Sequence, residues 1–546
     1  MGSLRLLVTD EIDSDGVDLL RAEASFVVDE IPTPKPAELL ERIGDYDAFV
    51  GRSATRLPAE VLQRATRLRV IGRAGVGTDN IDIPAATQLG IAIINAPGGN
   101  TVAVAELFFG TLIGLVRHLP RATSSMREGK WDRSQLLGTE LRGRSLGIVG
   151  LGRIGGEVAA RARAFGMSLT AYDPYVTDER FDLLRVARAD SLEKLLTTCD
   201  VITVHTPLNP ETTGMIGAAE LSLLAPGAIV ANLARGGIVE ETALVGALGS
   251  GALGGAILDV YTQEPLEASS PLRTLPNVVL TPHLGASTAE GQHNVAVDVC
   301  AAVRDALMSG ELSRAINVVG GIEGRWDEIR PALVLTRRMA SIGRAILADR
   351  GARAVDSISL KVGRGLSEAG NLLIASAAAG ALDSIIDGVR LNLVNARALA
   401  ENRGIALSVA TSHSHDPDTG AQITIRCGSR EVTIAGVAPA GSGPRLTRID
   451  GFIVDVTPRR TLLVLTNADV PGVIGRVGTL LGDSSVNIAE YHQARLTQGG
   501  DALAAISVDG EINEQVRQRL LALPYIKSAT VIDFSHLDPT GEEAWS

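Results

Sequence analysis

Gly143 to Asp173 reads GRSLGIVGLGRIGGEVAARARAFGMSLTAYD, and the reading of this stretch decides the fold. Ser145 to Val149 is a short apolar β-type run, and Gly150-x-Gly152-x-x-Gly155 follows it at once. Each glycine answers a separate need: Gly150 allows a tight turn, Gly152 lets backbone approach a pyrophosphate, and Gly155 lets the next helix pack closely on the strand. The amino terminus of that helix then faces phosphate groups. Leu169 to Tyr172 makes a second strand, and Asp173 stands where a carboxylate bonds the ribose hydroxyls of an adenosine. Glycine-rich turns alone are common. The full context of strand, turn, helix, strand and acid reads as a Rossmann dinucleotide site, and an acid at 173 repels the extra phosphate of NADP, so NAD is the cofactor expected.

Outward from this unit, short β-type runs alternate with helical stretches in both directions. Upstream lie Leu4 to Thr9, Phe26 to Val28, Ala48 to Val50, Val70 to Ile71 and Ile91 to Ile94, the pattern of an α/β layer with a parallel sheet. GGNTVAVAELFFGTLIGLVRHL from Gly98 reads as one long apolar helix capped near Asn100 or Thr101. Downstream, Val201 to His205, Ile229 to Leu233, Gly255 to Leu258 and Val278 to Leu280 continue the second sheet, and Ala289 to Ser309 returns as a helix to the first. We therefore expect a discontinuous flavodoxin-like substrate domain (1–97 with 289–318) and a Rossmann domain (98–288). An α+β intervening domain (319–457) follows, with helices over 331–347 and 371–388 and strands near 422–427 and 431–434. Its stretch SVATSHSHDPDTGAQ reads as a polar loop rather than a metal site, because His413, His415 and Asp416 have no further ligands at useful spacing. Thr461 to Phe534 has the order βαββαβ, a ferredoxin-like unit within 458–537, before a tail over 538–546.

Composition limits the function. The 546 residues carry a formal net charge of −12, which argues against a nucleic-acid or anionic-membrane surface; an anionic small molecule needs local arginines instead. Cys199, Cys300 and Cys427 are far apart and form no C-x-x-C pair, so neither a disulfide framework nor a metal site is indicated and a reducing, cytoplasmic setting fits. Neither a secretory signal nor an uninterrupted membrane span is read.

Reactive groups cluster at predicted strand ends. Arg235 follows one strand in NLARGG, Glu264 lies in the loop DVYTQEP, and His283 follows the last strand in TPHLGA. Oxidising a hydroxylated carbon requires a base for the hydroxyl proton, which a neutral imidazole supplies near physiological pH. A carboxylate on the other ring nitrogen orients it, and the fork of an arginine holds a substrate carboxylate with two bonds. Taken singly, each residue is equally a packed or surface side chain.

The stretches LGIVGLGRIG, VHTPLNPETTG, NLARGGIVEE, LDVYTQEP and TPHLGAST resemble the D-isomer-specific 2-hydroxyacid dehydrogenase family. RSATR, GRAGVGTDNID, APGGNTVAVAEL and GKWDRSQLLGTEL are similar to those members that act on 3-phosphoglycerate, in a long form with an intervening domain and a terminal ACT regulatory domain. The resemblance implies Arg235, Glu264 and His283 as the catalytic trio, with His283 as acid and base. It implies NAD contacts at Gly150, Gly152, Arg153, Ile154, Gly155, Asp173, Thr206, Ala234, Asp259 and Gly285. Substrate contacts fall on Arg52, Arg73 and Asn100, with Arg133 reaching a phosphate, on this reading from a neighbouring subunit of a homo-oligomer, dimer or tetramer. Asn467, Asp469 and Asn487 match positions that hold an amino acid effector, L-serine, although Asn467 replaces the bulkier ring residues frequent there. The implied reaction is oxidation of 3-phosphoglycerate with NAD. Two alternatives stay open: a hydroxypyruvate or glyoxylate reductase on the same scaffold, and an NAD-sensing corepressor, against which the ACT-like end and the lack of a basic segment argue.

Overall fold

The computed structural model describes residues 3–320, 325–352, 354–383, 385, 390–412, 418–439 and 443–535. His413, His415, Asp416, Gly321 and the tail fall outside that range. The first sheet holds β1 (Leu4–Val8), β2 (Phe26–Glu30), β3 (Ala48–Gly51), β4 (Val70–Arg73) and β5 (Ala92–Asn95), all parallel in the flavodoxin-like order β2-β1-β3-β4-β5. Leu6, Leu7 and Val8 are fully buried, as parallel strands covered on both faces require. The Ala289–Met308 helix, remote in sequence, covers one face. Gly72 admits it: a Cβ there would come within 2.6 Å of the Val303 side chain.

The second sheet holds β6 (Ser145–Val149), β7 (Ser168–Tyr172), β8 (Ala187–Arg188), β9 (Val201–Val204), β10 (Ile229–Asn232), β11 (Gly255–Leu258) and β12 (Val278–Leu280). Its parallel order β12-β11-β10-β9-β6-β7-β8 reverses between β6 and β9, the switch point where ligands of such sheets bind. The long helix expected from Gly98 runs Thr101–Val116, and a second, Leu119–Arg127, follows it at a bend of 63°. His118 takes a left-handed conformation between them, which ends the first helix, and Pro120 falls in the first turn of the second, where its missing N–H breaks no helix bond. Among the described residues no single helix is long and apolar enough to cross a membrane.

The third sheet, β13 (Ser357–Val362), β14 (Ala406–Thr411), β15 (Gly420–Cys427), β16 (Arg430–Val437), β17 (Arg445–Ile449) and β18 (Phe452–Val456), has the order β14-β13-β15-β16-β17-β18 and is antiparallel except for β13 with β14. Only β15 and β16 are legible in the sequence. Its main helix runs Trp326–Asp349 and so begins before Pro331, the residue that marks its start in the sequence. The ring costs one backbone bond in the second turn, which burial of Trp326 and Ile329 ahead of it offsets.

The fourth sheet has β19 (Thr461–Ala468), β20 (Ile488–Arg495), β21 (Asp501–Val508) and β22 (Ile526–Asp533) in the order β20-β21-β19-β22, the ferredoxin-like arrangement. One face carries the helices Val473–Asp483 and Glu514–Leu521. The other shares a core with the Trp326–Asp349 helix through Leu462, Val464, Ala505 and Ile532. Buried Arg338 bonds the Pro458 carbonyl and lies over the Phe534 ring, while Arg445 pairs with Asp455 and Glu490. Arg445 is thus taken up in joining the third and fourth sheets.

Candidate active site

The glycine turn has the geometry that its residues require. Gly150 has φ +93°, and a Cβ there would meet the His205 carbonyl at 2.7 Å. At Gly155 a Cβ would lie 2.2 Å from the Gly150 carbonyl oxygen, whereas nothing stands within 4 Å of one at Gly152. The open side is therefore at Gly152, which caps the Arg153–Ala164 helix. Asp173 closes the turn from the end of β7: its Oδ2 accepts from Leu151 N at 2.8 Å and its Oδ1 from Tyr175 N at 2.9 Å. Each carboxylate oxygen keeps a second lone pair for a further donor.

A cleft of about 420 Å³ runs between the two parallel sheets, lined by Arg73, Asn100, Arg153, Ile154, Thr206, Ala234, Arg235, Asp259, His283 and Gly285, with the 76–79 loop on the first sheet's side. Parallel strands all point their carboxyl ends one way, so the segments after β4, β5, β9, β10, β11 and β12 meet here. His283 is held by its own backbone, whose N–H donates to the Asp259 carbonyl at 2.9 Å, and adopts φ +55°. Asp259 anchors the loop on both sides: its carboxylate accepts from Thr281 Oγ1 at 2.6 Å, Leu284 N at 2.7 Å and Gly285 N at 2.9 Å. Burial nonetheless holds its pKa above the ordinary carboxylate value.

His283 Nδ1 lies 2.8 Å from Glu264 Oε2, and Glu264 Oε1 accepts from Tyr261 N at 3.0 Å. The carboxylate is therefore fixed by backbone before it orients the imidazole, leaving Nε2 toward the cleft. Burial, then the charges of Arg235 and Arg52, pull the Arg73 guanidinium down to about 10. A buried guanidinium beside two further cations is suited to receive an anion. Arg52 lies beside Arg73, its backbone N–H fixed by Asp10 Oδ2 at 2.8 Å.

Buried polar atoms without partners also face this region: Asn100 Oδ1, Thr206 Oγ1 and His205 Nδ1. Asn100 starts the Thr101–Val116 helix without capping it through its side chain, which leaves that oxygen unspent. These orphans, the open side at Gly152 and the acid at β7 fit a dinucleotide with a polar nicotinamide end. His205 was not singled out in the sequence, nor were Gly77 and Asp79; the only signal was their place in VHTP and GVGTDN at strand ends. Arg133 is exposed in the short turn Arg133–Gln135 and does not line this chain's own cleft.

In the fourth sheet, Asp469 Oδ2 accepts from Gly499 N at 3.1 Å and Arg495 Nη1 at 3.3 Å, which with the backbone bond first lowers its pKa. Asn467 bonds Gln493 beside it. Asn487 bonds Asp509 at 2.6 Å at the other end of the sheet. The structure does not bring Asn487 to Asn467 and Asp469 within one chain.

Fold and site together define a dinucleotide-dependent dehydrogenase. Residues 109–285 match the family model described as D-isomer specific 2-hydroxyacid dehydrogenase, NAD binding domain. The chain is 38% identical to the D-3-phosphoglycerate dehydrogenase of Synechocystis sp., over 97% of this chain and 94% of that one. It is 36% identical to the D-3-phosphoglycerate dehydrogenase of Methanocaldococcus jannaschii, over 97% of this chain and 100% of the relative. A solved glyoxylate reductase from Paecilomyes thermophila shares 32% identity and a TM-score of 0.54, covering 58% of this chain and 99% of that one. The chain belongs to the D-isomer-specific 2-hydroxyacid dehydrogenase family, in its D-3-phosphoglycerate dehydrogenase branch.

Proposed function

We infer that this chain oxidises 3-phosphoglycerate to 3-phosphohydroxypyruvate with NAD, the first step of L-serine biosynthesis. The observation that carries this reading is that Arg73 and Arg235 line one cleft with the His283–Glu264 pair, in a chain of net charge −12. Such a cationic pocket suits a substrate with two anionic ends.

In this reading Gly150, Gly152, Arg153, Ile154, Gly155, Asp173, Thr206, Ala234, Asp259 and Gly285 hold the dinucleotide. NAD, when bound, supplies the hydride acceptor. Arg235 binds the substrate carboxylate and polarises the reacting oxygen; Arg52, Arg73 and Asn100 bind the remainder. His283 Nε2 takes the hydroxyl proton, and Glu264 stabilises the imidazolium that results. Arg133 of a neighbouring copy would complete the phosphate contact, so the working unit is a homo-oligomer, dimer or tetramer, in the cytoplasm.

Asn467, Asp469 and Asn487 hold L-serine as a feedback effector. Since Asn487 lies at the opposite sheet end, the effector site on this reading combines two copies of the fourth sheet. The test is NADH formation from 3-phosphoglycerate, glycerate and D-lactate, with and without L-serine. A better rate with glycerate than with its phosphate ester would favour the reductase reading, for which the solved glyoxylate reductase is the precedent of scaffold.

A further inference from the structure

Asp79 and Arg235 stand on opposite walls of the cleft. Asp79 belongs to the loop after β4 in the first sheet, and Arg235 to the loop after β10 in the second. Asp79 Oδ2 accepts from Arg235 Nε at 2.8 Å, and Arg235 Nη1 donates to the Ala234 carbonyl at 2.6 Å. A guanidinium carries five N–H donors in one plane. These two bonds fix that plane from two directions and leave one Nη1 hydrogen and both Nη2 hydrogens free for a ligand.

Nη2 is seated against Gly77, where a Cβ would come within 1.7 Å of it. The loop that supplies the carboxylate therefore also supplies the space. Stability does not account for the pair. The Asp79 side chain is 61% exposed, and exposed ion pairs contribute little to folding. What the bond does determine is direction, because removing it frees the guanidinium to rotate about its last side-chain torsions.

We propose that Asp79 is a positioning residue for the reaction: from the substrate wall it sets the plane of Arg235 on the dinucleotide wall, so the arginine is aligned for a substrate carboxylate only when the two walls meet. The proposal rests on the assignment of Arg235 as the carboxylate-binding arginine. It ties alignment to cleft closure by a single cross-wall bond.

The experiment is steady-state kinetics of the full chain with 3-phosphoglycerate and NAD for D79N, D79E, R235K and D79N/R235K, with melting temperatures and an NAD titration followed by fluorescence. D79N should raise KM for 3-phosphoglycerate about tenfold and lower kcat several-fold, while NAD affinity and Tm stay at the wild-type values. D79E should recover much of the loss. In the R235K background D79N should add less than about twofold, because lysine has no Nε–H to grip and interacting sites are not additive. Additive losses, a D79N enzyme within about twofold of wild type, or equal damage to Tm and NAD affinity would each overturn the proposal. If wild type fails on 3-phosphoglycerate, the functional reading is at fault, and the same KM split on whichever 2-hydroxy acid it does oxidise still decides the role of Asp79.

Discussion

The cleft and the carboxyl-terminal sheet are built from the same kind of signal, polar motifs at the ends of strands, yet they assemble differently. In the two parallel sheets every strand ends on the same edge, so Arg73, Arg235 and His283 converge although some 210 positions separate the first from the last. In the antiparallel fourth sheet, Asn467 on β19 pairs with Ala502, which pairs with Arg495 at the end of β20. Thr461 pairs with Val508, which pairs with Ile488 at the start of β20. Asn487, just before Ile488, therefore sits at the edge remote from Asn467 and Asp469. Parallel topology collects strand-end motifs into one site; antiparallel topology distributes them over two edges.

The largest effect that tests the cleft is H283A. It should lower kcat about a thousandfold with NAD binding unchanged, because the proton loses its acceptor while the glycine turn is untouched. Equal loss of NAD binding would show that the loop anchored by Asp259 had been disturbed instead. Next comes R73A, which should raise KM for 3-phosphoglycerate about a hundredfold and change kcat less, since it removes one of three crowded cations from binding. A kcat effect equal to that of H283A would move Arg73 into the chemistry.

The same contrast explains what was legible in the sequence. The strands of both parallel sheets, the two-residue β8 excepted, could be read to within a residue or two because each is a short apolar run bounded by glycine or charge, and the helix returning over 289–308 because its apolar spacing is regular. The helix Leu119–Arg127 was not legible, because LPRATSSMR is short, mostly polar and buries none of its residues, so it carries no apolar period. In the third sheet β17 and β18, RLTRI and FIVDV, were not legible as strands, because each is only five residues long and Arg445, Arg448 and Asp455 interrupt the apolar residues; Arg445 is then seen to pair with Asp455 and Glu490. Arg235, Glu264 and His283 stood out because each follows an apolar run. Asp79 and His205 did not, because their importance lies in a bond across the cleft and in a sealed ring nitrogen, neither of which has a local signature.

A smaller effect probes the cleft wall by pH. Burial holds the His205 imidazole neutral down to about 3 against an ordinary 6.5, its Nε2 bonded to Thr203 Oγ1 at 3.0 Å and its ring edge-on to Phe108. On acidification the unfolded chain takes this proton first, so the stability involved is whole above pH 6.5 and is lost between 6.5 and 3. At pH 5 the loss amounts to about 2 kcal/mol. Urea midpoints at pH 7 and pH 5 should draw closer together in H205N than in wild type; an unchanged gap would mean that the ring protonates freely in the folded state.

The smallest expected change in basal rate, and the sharpest test of the comparison, comes from the fourth sheet. D469A and N487A should each leave turnover without serine within about twofold of wild type, because neither residue touches the cleft, while each alone abolishes the response to serine. If the effector site combines Asp469 from one copy with Asn487 from another, chains carrying D469A mixed with chains carrying N487A form hybrids in which one of the two shared sites has lost both residues and the other is intact. Refolded or co-expressed hybrids should then recover part of the serine response that neither parent has. A site confined to one chain allows no such recovery, since every chain in the mixture lacks one of its residues. Recovery would thus establish that the antiparallel sheet needs a partner for what the parallel sheets complete alone.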